Sequence, residues 1–143
     1  MTAKFKRLYE DSILPTFKHP EDAGLDLYAH YGCTIPVGEA VIFGTGVAWE
    51  PPNDRKYFME VKSRSGLAFN HGVEASNAGV VDSLFRGEIK VKLYNNSKKP
   101  YAVAKGDRIA QGIIFELPVV EVKEAVELTD STRGANGFGS SGK

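Results

Sequence analysis

The sequence predicts an all-β domain, a sandwich or barrel with one short helix, because most ordered segments alternate apolar and polar residues. In residues 88–95, for example, Ile89, Val91 and Leu93 point one way and the lysines and tyrosine between them point the other way. Pro, Gly and Asn separate such segments, and no long run has the 3.6-residue period of a helix. Many short strands joined by turns are typical of a sandwich or barrel.

The same pattern locates the other elements along the chain. The predicted strands are residues 4–9, 25–29, 40–49, 57–62, 88–95, 109–115 and 119–122, and a short helix is predicted at 66–70. From Thr129 onward Ser, Thr, Gly and Asn dominate. We therefore expect one domain over residues 1–128 and a flexible glycine-rich tail over 129–143.

Length and composition narrow the possible functions. The chain has 143 residues, enough for one domain, and its 18 basic and 18 acidic residues give no net charge. A neutral chain lacks the broad basic surface needed for sequence-independent nucleic-acid binding, whereas a small anionic ligand at one local site is compatible with it. The only cysteine, Cys33, cannot form an internal disulfide. With no signal peptide or membrane-spanning run, we expect a soluble intracellular protein without membrane partners.

Asp82 is the residue that most suggests catalysis. It lies in a turn within residues 79–87, between two runs suited to phosphate binding, 63–67 and 106–112. A carboxylate among anion-binding elements repels the ligand unless it activates water or holds a metal. The sequence therefore predicts chemistry on a phosphate ester.

The two flanking runs also have simpler interpretations. Ser65 could be an ordinary helix N-cap, although the hydroxyls, the Arg64 guanidinium and Gly66 together favour an anion site. Asp107 and Arg108 are predicted to pair with each other at the surface of a turn. Gln111 lies in an apolar run and needs a polar partner, either a ligand oxygen or a backbone group.

Two further segments carry polar groups in unusual surroundings. Asp26, in an apolar strand, could cap a turn, orient an arginine or orient a metal-bound water. In the tail, Arg133 and Phe138 are isolated on flexible backbone, as a closing lid would require, with a disordered terminus as the alternative.

Five segments together resemble the motifs of the homotrimeric dUTP pyrophosphatases (dUTPases), in the same order and over nearly the whole chain. They are residues 23–27, 63–68, 79–87, 106–111 and 133–140. The resemblance implies a jelly-roll-like distorted β-barrel and a cytoplasmic homotrimer with shared active sites, in the host cell if the source is viral. It also implies hydrolysis of dUTP to dUMP and pyrophosphate with Mg²⁺, the ion being held mainly by triphosphate oxygens and water.

The same resemblance gives roles to individual residues. Asp82 becomes the general base that directs water at the α-phosphate, and Asp26 a supporting residue. Substrate contacts are implied for Arg64, Ser65 and Gly66 in the phosphate loop, for Asn77, Gly79, Val81 and Phe85 in the hairpin that reads uracil, for Gln111 near the phosphates, and for Arg133, Phe138, Gly139 and Ser140 in the tail. Asn77 could equally be a turn residue, since its register against the family is ambiguous.

The resemblance is incomplete at the tip of the hairpin, where Leu84 and Phe85 replace an acidic or small polar residue followed by tyrosine. Phe85 keeps the ring that stacks under the sugar but lacks the hydroxyl. A dCTP deaminase is one alternative, but it needs a glutamate where this chain has Lys92. A nucleotide-binding regulatory β-domain is the other, and the Leu84–Phe85 pair is the feature that favours it.

Overall fold

The computed structural model describes residues 2–53, 55–76 and 79–137, which form short β-strands and one helix. The strands are β1 (Lys4–Arg7), β2 (Leu25–Tyr28), β3 (Cys33–Ile35), β4 (Ala40–Gly44), β5 (Val47–Glu50), β6 (Tyr57–Lys62), β7 (Val73–Ala75), β8 (Val80–Val81), β9 (Lys90–Asn95), β10 (Tyr101–Val103) and β11 (Arg108–Glu116). The helix, α1, covers Ser65–His71 between β6 and β7.

The strand pairs in the described residues are all antiparallel and form four small sheets. The largest has the order β2-β11-β6-β8, the second β4-β9-β7, and two more consist of β1 with β5 and β3 with β10. The predicted all-β class with one short helix is confirmed. In the described part of the chain, however, hydrogen bonding does not close these sheets into a barrel.

Two predicted strands differ from the observed ones. The segment 40–49 is divided into β4 and β5 by Gly46, whose φ of 69° is a left-handed conformation that glycine adopts readily. Residues 119–122 are not a strand, and Val119 and Val122 are almost fully exposed. Four strands of only two or three residues were not predicted, namely β3, β7, β8 and β10.

The core lies between the inward faces of the sheets. Leu27, Met59 and Ile109 from the four-stranded sheet and Phe43 and Leu93 from the three-stranded sheet are fully buried. Their burial follows the alternation seen in the sequence, clearest in β9, where every second residue is buried. None of the helical segments described is long and apolar enough to cross a membrane.

Candidate active site

Asp26 on β2 binds two arginines through its two carboxylate oxygens. Its Oδ1 lies 3.1 Å from Nε of Arg64 and its Oδ2 lies 3.1 Å from Nη1 of Arg108. Arg64 Nη1 also donates to the backbone oxygen of Arg108 at 3.0 Å. The Asp26 side chain is only 13% exposed, so these pairs are partly shielded from water. Of the three roles predicted for Asp26, the geometry shows that of orienting arginines.

The two arginines form one wall of a polar cleft of about 230 Å³. The cleft is lined by Lys18, Asp22, Ala23, Gly24, Asp26, Arg64, Ser65, Gly66, Arg108 and Gln111. Three of these side chains are cationic and two are anionic, which favours a small anion with several oxygens. The cleft therefore joins residues from three of the five predicted segments.

The serine–arginine loop reaches the cleft because both of its ends are fixed. Ser63 Oγ accepts a hydrogen bond from the backbone amide of Ala75 at 2.8 Å, which ties the loop to β7. Helix α1 then begins at Ser65, with Arg64 in the N-cap position and no side-chain cap. The interpretation of Ser65 as the N-cap is therefore wrong. Its side chain is left exposed beside the cleft.

Gln111 is held at the floor of the cleft by a backbone partner. Its Nε2 donates to the carbonyl oxygen of Ser63 at 3.0 Å. The register of the sheet places Gln111 between Asp26 on β2 and Lys62 on β6. A side chain at Gly24 would approach Gln111 Oε1 to 2.9 Å, so glycine makes room for the amide.

The predicted surface pair between Asp107 and Arg108 is wrong. Asp107 Oδ2 instead accepts a hydrogen bond from the backbone amide of Ala104 at 2.8 Å, within its own turn. Arg108 begins β11 opposite Tyr28 and extends toward Asp26. Arg108 pairs with Asp26 and not with Asp107, because the register of β2 against β11 brings together residues that are far apart in sequence.

A second cavity of about 220 Å³ lies behind the arginines and contains Tyr101. Burial raises the pKa of the Tyr101 hydroxyl, and the charge of Asp107 raises it further against a smaller opposing effect of Arg64. Tyr101 therefore stays neutral at physiological pH. The carboxylate that pairs with both guanidinium groups is that of Asp26, so one positive charge of the two arginines is left over.

Asp82 lies in a tight turn directly after β8. The backbone amide of Phe85 donates to the Asp82 carbonyl at 3.1 Å, and Arg86 Nη1 donates to the Ser83 carbonyl at 2.7 Å. The buried Ser83 accepts a hydrogen bond on Oγ from the backbone amide of Arg55 at 2.5 Å. The turn is thus fastened from both sides, while the Asp82 side chain is exposed to solvent.

Asp82 follows one edge strand of the four-stranded sheet, β8, and Asp26 lies on the other edge strand, β2. Asp26, Gln111 and Lys62 form one row across β2, β11 and β6, whereas Val81 pairs with Met59, so that Asp82 lies level with Phe58. Lys62 and Phe58 lie four residues apart on β6, which corresponds to about 13 Å along the strand. The three spacings between neighbouring strands from β2 to β8 add about 14 Å across the sheet. Within one chain Asp26 and Asp82 are therefore roughly 20 Å apart.

Comparison with known proteins identifies the family. A sequence model described as dUTPase matches residues 10–142 of this chain. The chain belongs to the dUTPase family. A deoxyuridine 5'-triphosphate nucleotidohydrolase of Nautilia profundicola is 42% identical over 144 residues, covering 100% of both chains. One of Gloeothece citriformis is 43% identical over 144 residues, covering 99% of this chain and 97% of its own.

Solved dUTPase structures share the fold. The dUTPase of Staphylococcus bacteriophage 80alpha with dUPNHPP superposes with a TM-score of 0.87 at 25% identity, covering 99% of both chains. A D95N mutant dUTPase from phage phi11 of S. aureus, described with a structural Mg(II) ion, superposes with a TM-score of 0.83 at 21% identity. It covers 91% of this chain and 100% of its own. The jelly-roll-like architecture expected of a dUTPase is consistent with these likenesses.

The remaining dUTPase positions are distributed around the Asp82 turn and the tail. Gly79 and Val81 are buried at the β6–β8 edge, and Phe85 is exposed with its ring over Gly87. Arg133 is exposed and donates from Nε to the Asn136 carbonyl at 2.8 Å. The predicted contacts Asn77, Phe138, Gly139 and Ser140 lie outside the described residues.

Sequence reasoning did not assign site roles to five of the residues that line the cleft, namely Lys18, Asp22, Ala23, Gly24 and Arg108. For Lys18 and Asp22 the available signal was their closeness to Gly24 and Asp26 in sequence. Asp22 Oδ2 accepts a hydrogen bond from the His19 amide at 2.9 Å, which closes a turn at the rim. Arg108 could be found only from the pairing of β2 with β11.

Proposed function

We propose that this member of the dUTPase family hydrolyses dUTP to dUMP and pyrophosphate by attack of water on the α-phosphate, with Asp82 as the general base. The observation that carries the proposal is the cleft in which Asp26 fixes Arg64 and Arg108 beside Gln111. Relatives named deoxyuridine 5'-triphosphate nucleotidohydrolase, at about 40% identity over almost the whole chain, support the choice of substrate.

The cleft suits the triphosphate of the substrate. Arg64 and Arg108 present guanidinium groups whose orientation is set by Asp26, so little reorganisation is needed when phosphate oxygens arrive. Ser65 and Gly66 line the same cleft, and we assign Ser65 to the oxygen that bridges the α and β phosphates. Charge develops on that oxygen as pyrophosphate leaves, so a hydroxyl donor there stabilises the transition state.

Asp82 acts on the cleft of a neighbouring subunit in this proposal. A general base must lie within hydrogen-bond reach of the attacking water. The separation of roughly 20 Å, estimated from strand spacing, prevents Asp82 from reaching a phosphate in the cleft of its own chain. A homotrimer in which the Asp82 turn of one subunit meets the cleft of another satisfies this requirement.

The described side chains are compatible with a magnesium ion that enters the cleft bound to the nucleotide. No three His, Cys, Asp or Glu side chains are grouped as a cage in the described residues, and both oxygens of Asp26 already bind arginines. Triphosphate oxygens and water would then provide most of the ligands, as Mg²⁺ prefers. The ion would supply charge neutralisation on the phosphates.

The hairpin around Asp82 is the proposed uracil site. Gly79, Val81 and Asn77 would present backbone and amide groups to the uracil edge, and Phe85 would support the deoxyribose. Cytosine has the inverted donor and acceptor pattern and would leave those groups unpaired, a penalty on the order of 10⁴-fold in discrimination. The narrow hairpin would exclude thymine because it leaves no room for the methyl group.

Residues 129–143 form a separate lid segment in this proposal. Arg133 would bind terminal phosphates and Phe138 would cover uracil, with Gly139 and Ser140 beside the nucleotide. A chain truncated after Asp130 should keep its fold and its trimeric assembly but lose most turnover. Full activity in the truncated chain would show that the tail is not a lid.

One assay tests the reaction. The protein is incubated with Mg²⁺ and dUTP, dCTP, dTTP or UTP, and the release of pyrophosphate and ammonia is followed. We expect pyrophosphate from dUTP, with much slower reaction of the other three nucleotides. Ammonia from dCTP without pyrophosphate from dUTP would instead identify a dCTP deaminase, although Lys92 at the position of the required glutamate argues against it.

A regulatory nucleotide-binding role is the second candidate. Leu84 and Phe85 at the tip of the turn are 56% and 44% exposed, which would suit contact with another protein. The similar phage 80alpha dUTPase is described as controlling the transfer of virulence genes. Binding of dUTP without turnover by the wild-type protein would favour this role.

We also propose a cytoplasmic location, because Cys33 is an exposed free thiol and such a thiol persists in a reducing compartment. Cell fractionation in the source organism would test it, and recovery of the protein outside the cytoplasm would contradict it.

A further inference from the structure

We propose that Lys18 binds the terminal phosphate of the substrate and so makes the cleft selective for a nucleoside triphosphate over its mono- and diphosphate. This inference rests on the proposed function, since it assigns the phosphate chain to the cleft. Lys18 belongs to the loop between β1 and β2, outside the motif residues considered so far.

The backbone directs Lys18 into the cleft. Thr16 forms an antiparallel bridge with Asp26, and the Asp26 amide donates to the Thr16 carbonyl at 2.8 Å. Lys18 lies two residues after this isolated bridge and lines the cleft together with Gly24 and Asp26.

The segment is fixed on the other side of Lys18 as well. The His19 amide donates to Asp22 Oδ2 at 2.9 Å and the Asp22 amide donates to the His19 carbonyl at 3.1 Å. Lys18 thus lies between a backbone bridge and a closed turn. Its backbone is anchored while its long side chain can reach the entering phosphates.

Of the three cationic side chains that line the cleft, Lys18 is the one without an ion pair in the described part of the chain. Arg64 and Arg108 share the carboxylate of Asp26, and Asp22 is engaged in its own turn. Within the described ranges Lys18 pairs with no carboxylate, although it lines the same cleft. A lysine is a mobile point charge suited to a phosphate whose position varies, whereas the fixed arginines suit the inner phosphates.

Binding measurements with nucleotides of increasing phosphate number test the proposal. Calorimetry would compare dUMP, dUDP and the non-hydrolysable α,β-imido analogue of dUTP on the full-length wild type, K18Q and K18R. K18Q should weaken binding of the triphosphate analogue about fivefold, which is the effect of losing one partly exposed ion pair. Its affinity for dUMP should stay within about twofold of the wild-type value. K18R, which keeps the charge, should bind the analogue nearly as the wild type does.

Lys98→Gln is the matched control, because Lys98 is exposed in the loop after β9 and does not line the cleft. An equal loss of affinity for all three nucleotides in K18Q, no loss at all, or the same loss in K98Q would overturn the assignment of Lys18. Failure of the proposed function would look different, since the wild type would then release no pyrophosphate from dUTP.

Discussion

Asp82 carries the chemical step of the proposed reaction, and an Asp82→Asn variant tests it. The amide keeps the shape of the carboxylate but cannot accept a proton from water. We expect pyrophosphate release to fall by about 10²–10⁴-fold while dUTP still binds. Asp107→Asn is the control, because the Asp107 carboxylate accepts a hydrogen bond from the Ala104 amide in its own turn and an amide oxygen can take over that bond. Unchanged turnover in Asp82→Asn would remove Asp82 from the mechanism.

Single residues were predicted well where their chemistry is local and poorly where a partner comes from another strand. The sequence indicates that Arg64, Ser65, Gly66 and Gln111 bind phosphate, and the structure gathers all four at one cleft. It does not reveal that Asp26 pairs with Arg108, because that contact depends on the register of β2 against β11. The sequence instead predicted that Arg108 pairs with its neighbour Asp107, whose carboxylate accepts a hydrogen bond from the Ala104 amide.

The turn after β8 depends on a contact from the loop between β5 and β6. Arg55 donates its amide to the buried Ser83 Oγ and has a φ of 66°, unfavourable for a residue with a side chain. Ser83→Ala should therefore loosen the turn and lower kcat about tenfold with a smaller change in KM, as steady-state kinetics would measure. Arg55→Gly keeps the amide and relieves the strain, so it should retain activity. Equal effects on kcat and KM in Ser83→Ala would contradict a positioning role.

Two glycines should respond in opposite ways to alanine substitution. A Cβ at Gly79 would lie 2.5 Å from the Val61 carbonyl oxygen, so Gly79→Ala should destabilise the fold by about 1–3 kcal/mol. Gly66 lies in α1 with open space around it, so Gly66→Ala should stabilise by about 0.5–1 kcal/mol. Urea unfolding at one protein concentration measures both. A stable Gly79→Ala variant would mean that β8 can move away from β6.

Whole elements were predictable when they were long enough to show a period. The alternation in β6, β9 and β11 is visible in the sequence because these strands have six to nine residues. Strands of two or three residues, such as β8, are too short to show a period. The valine-rich segment 119–122 has the composition of a strand but no sheet partner among the described residues, so composition alone misled the prediction.

The assembly can be tested by restoring activity between two inactive chains. In a trimer with shared sites, co-expression of Asp82→Asn with Arg64→Gln creates some sites that have both intact residues. Activity should exceed the sum of the two parent variants, and the complex should have about three times the 15.6 kDa chain mass. The control is each variant expressed alone. Activity equal to that sum, in a confirmed mixed trimer, would place each whole site within one chain.

The ion pairs of Asp26 with Arg64 and Arg108 have a consequence for product release in the proposed reaction. An anion in the cleft must share the guanidinium groups with a carboxylate that is always present, which weakens its hold on them. In the proposed reaction the departing pyrophosphate would be such an anion, and Asp26 would help to displace it. We expect Asp26→Asn to be inhibited by pyrophosphate at lower concentrations than the wild type, as inhibition kinetics would measure. Equal inhibition of both proteins would contradict this role. In the proposed reaction the carboxylate that prepares the arginines for substrate would also keep the product from remaining bound.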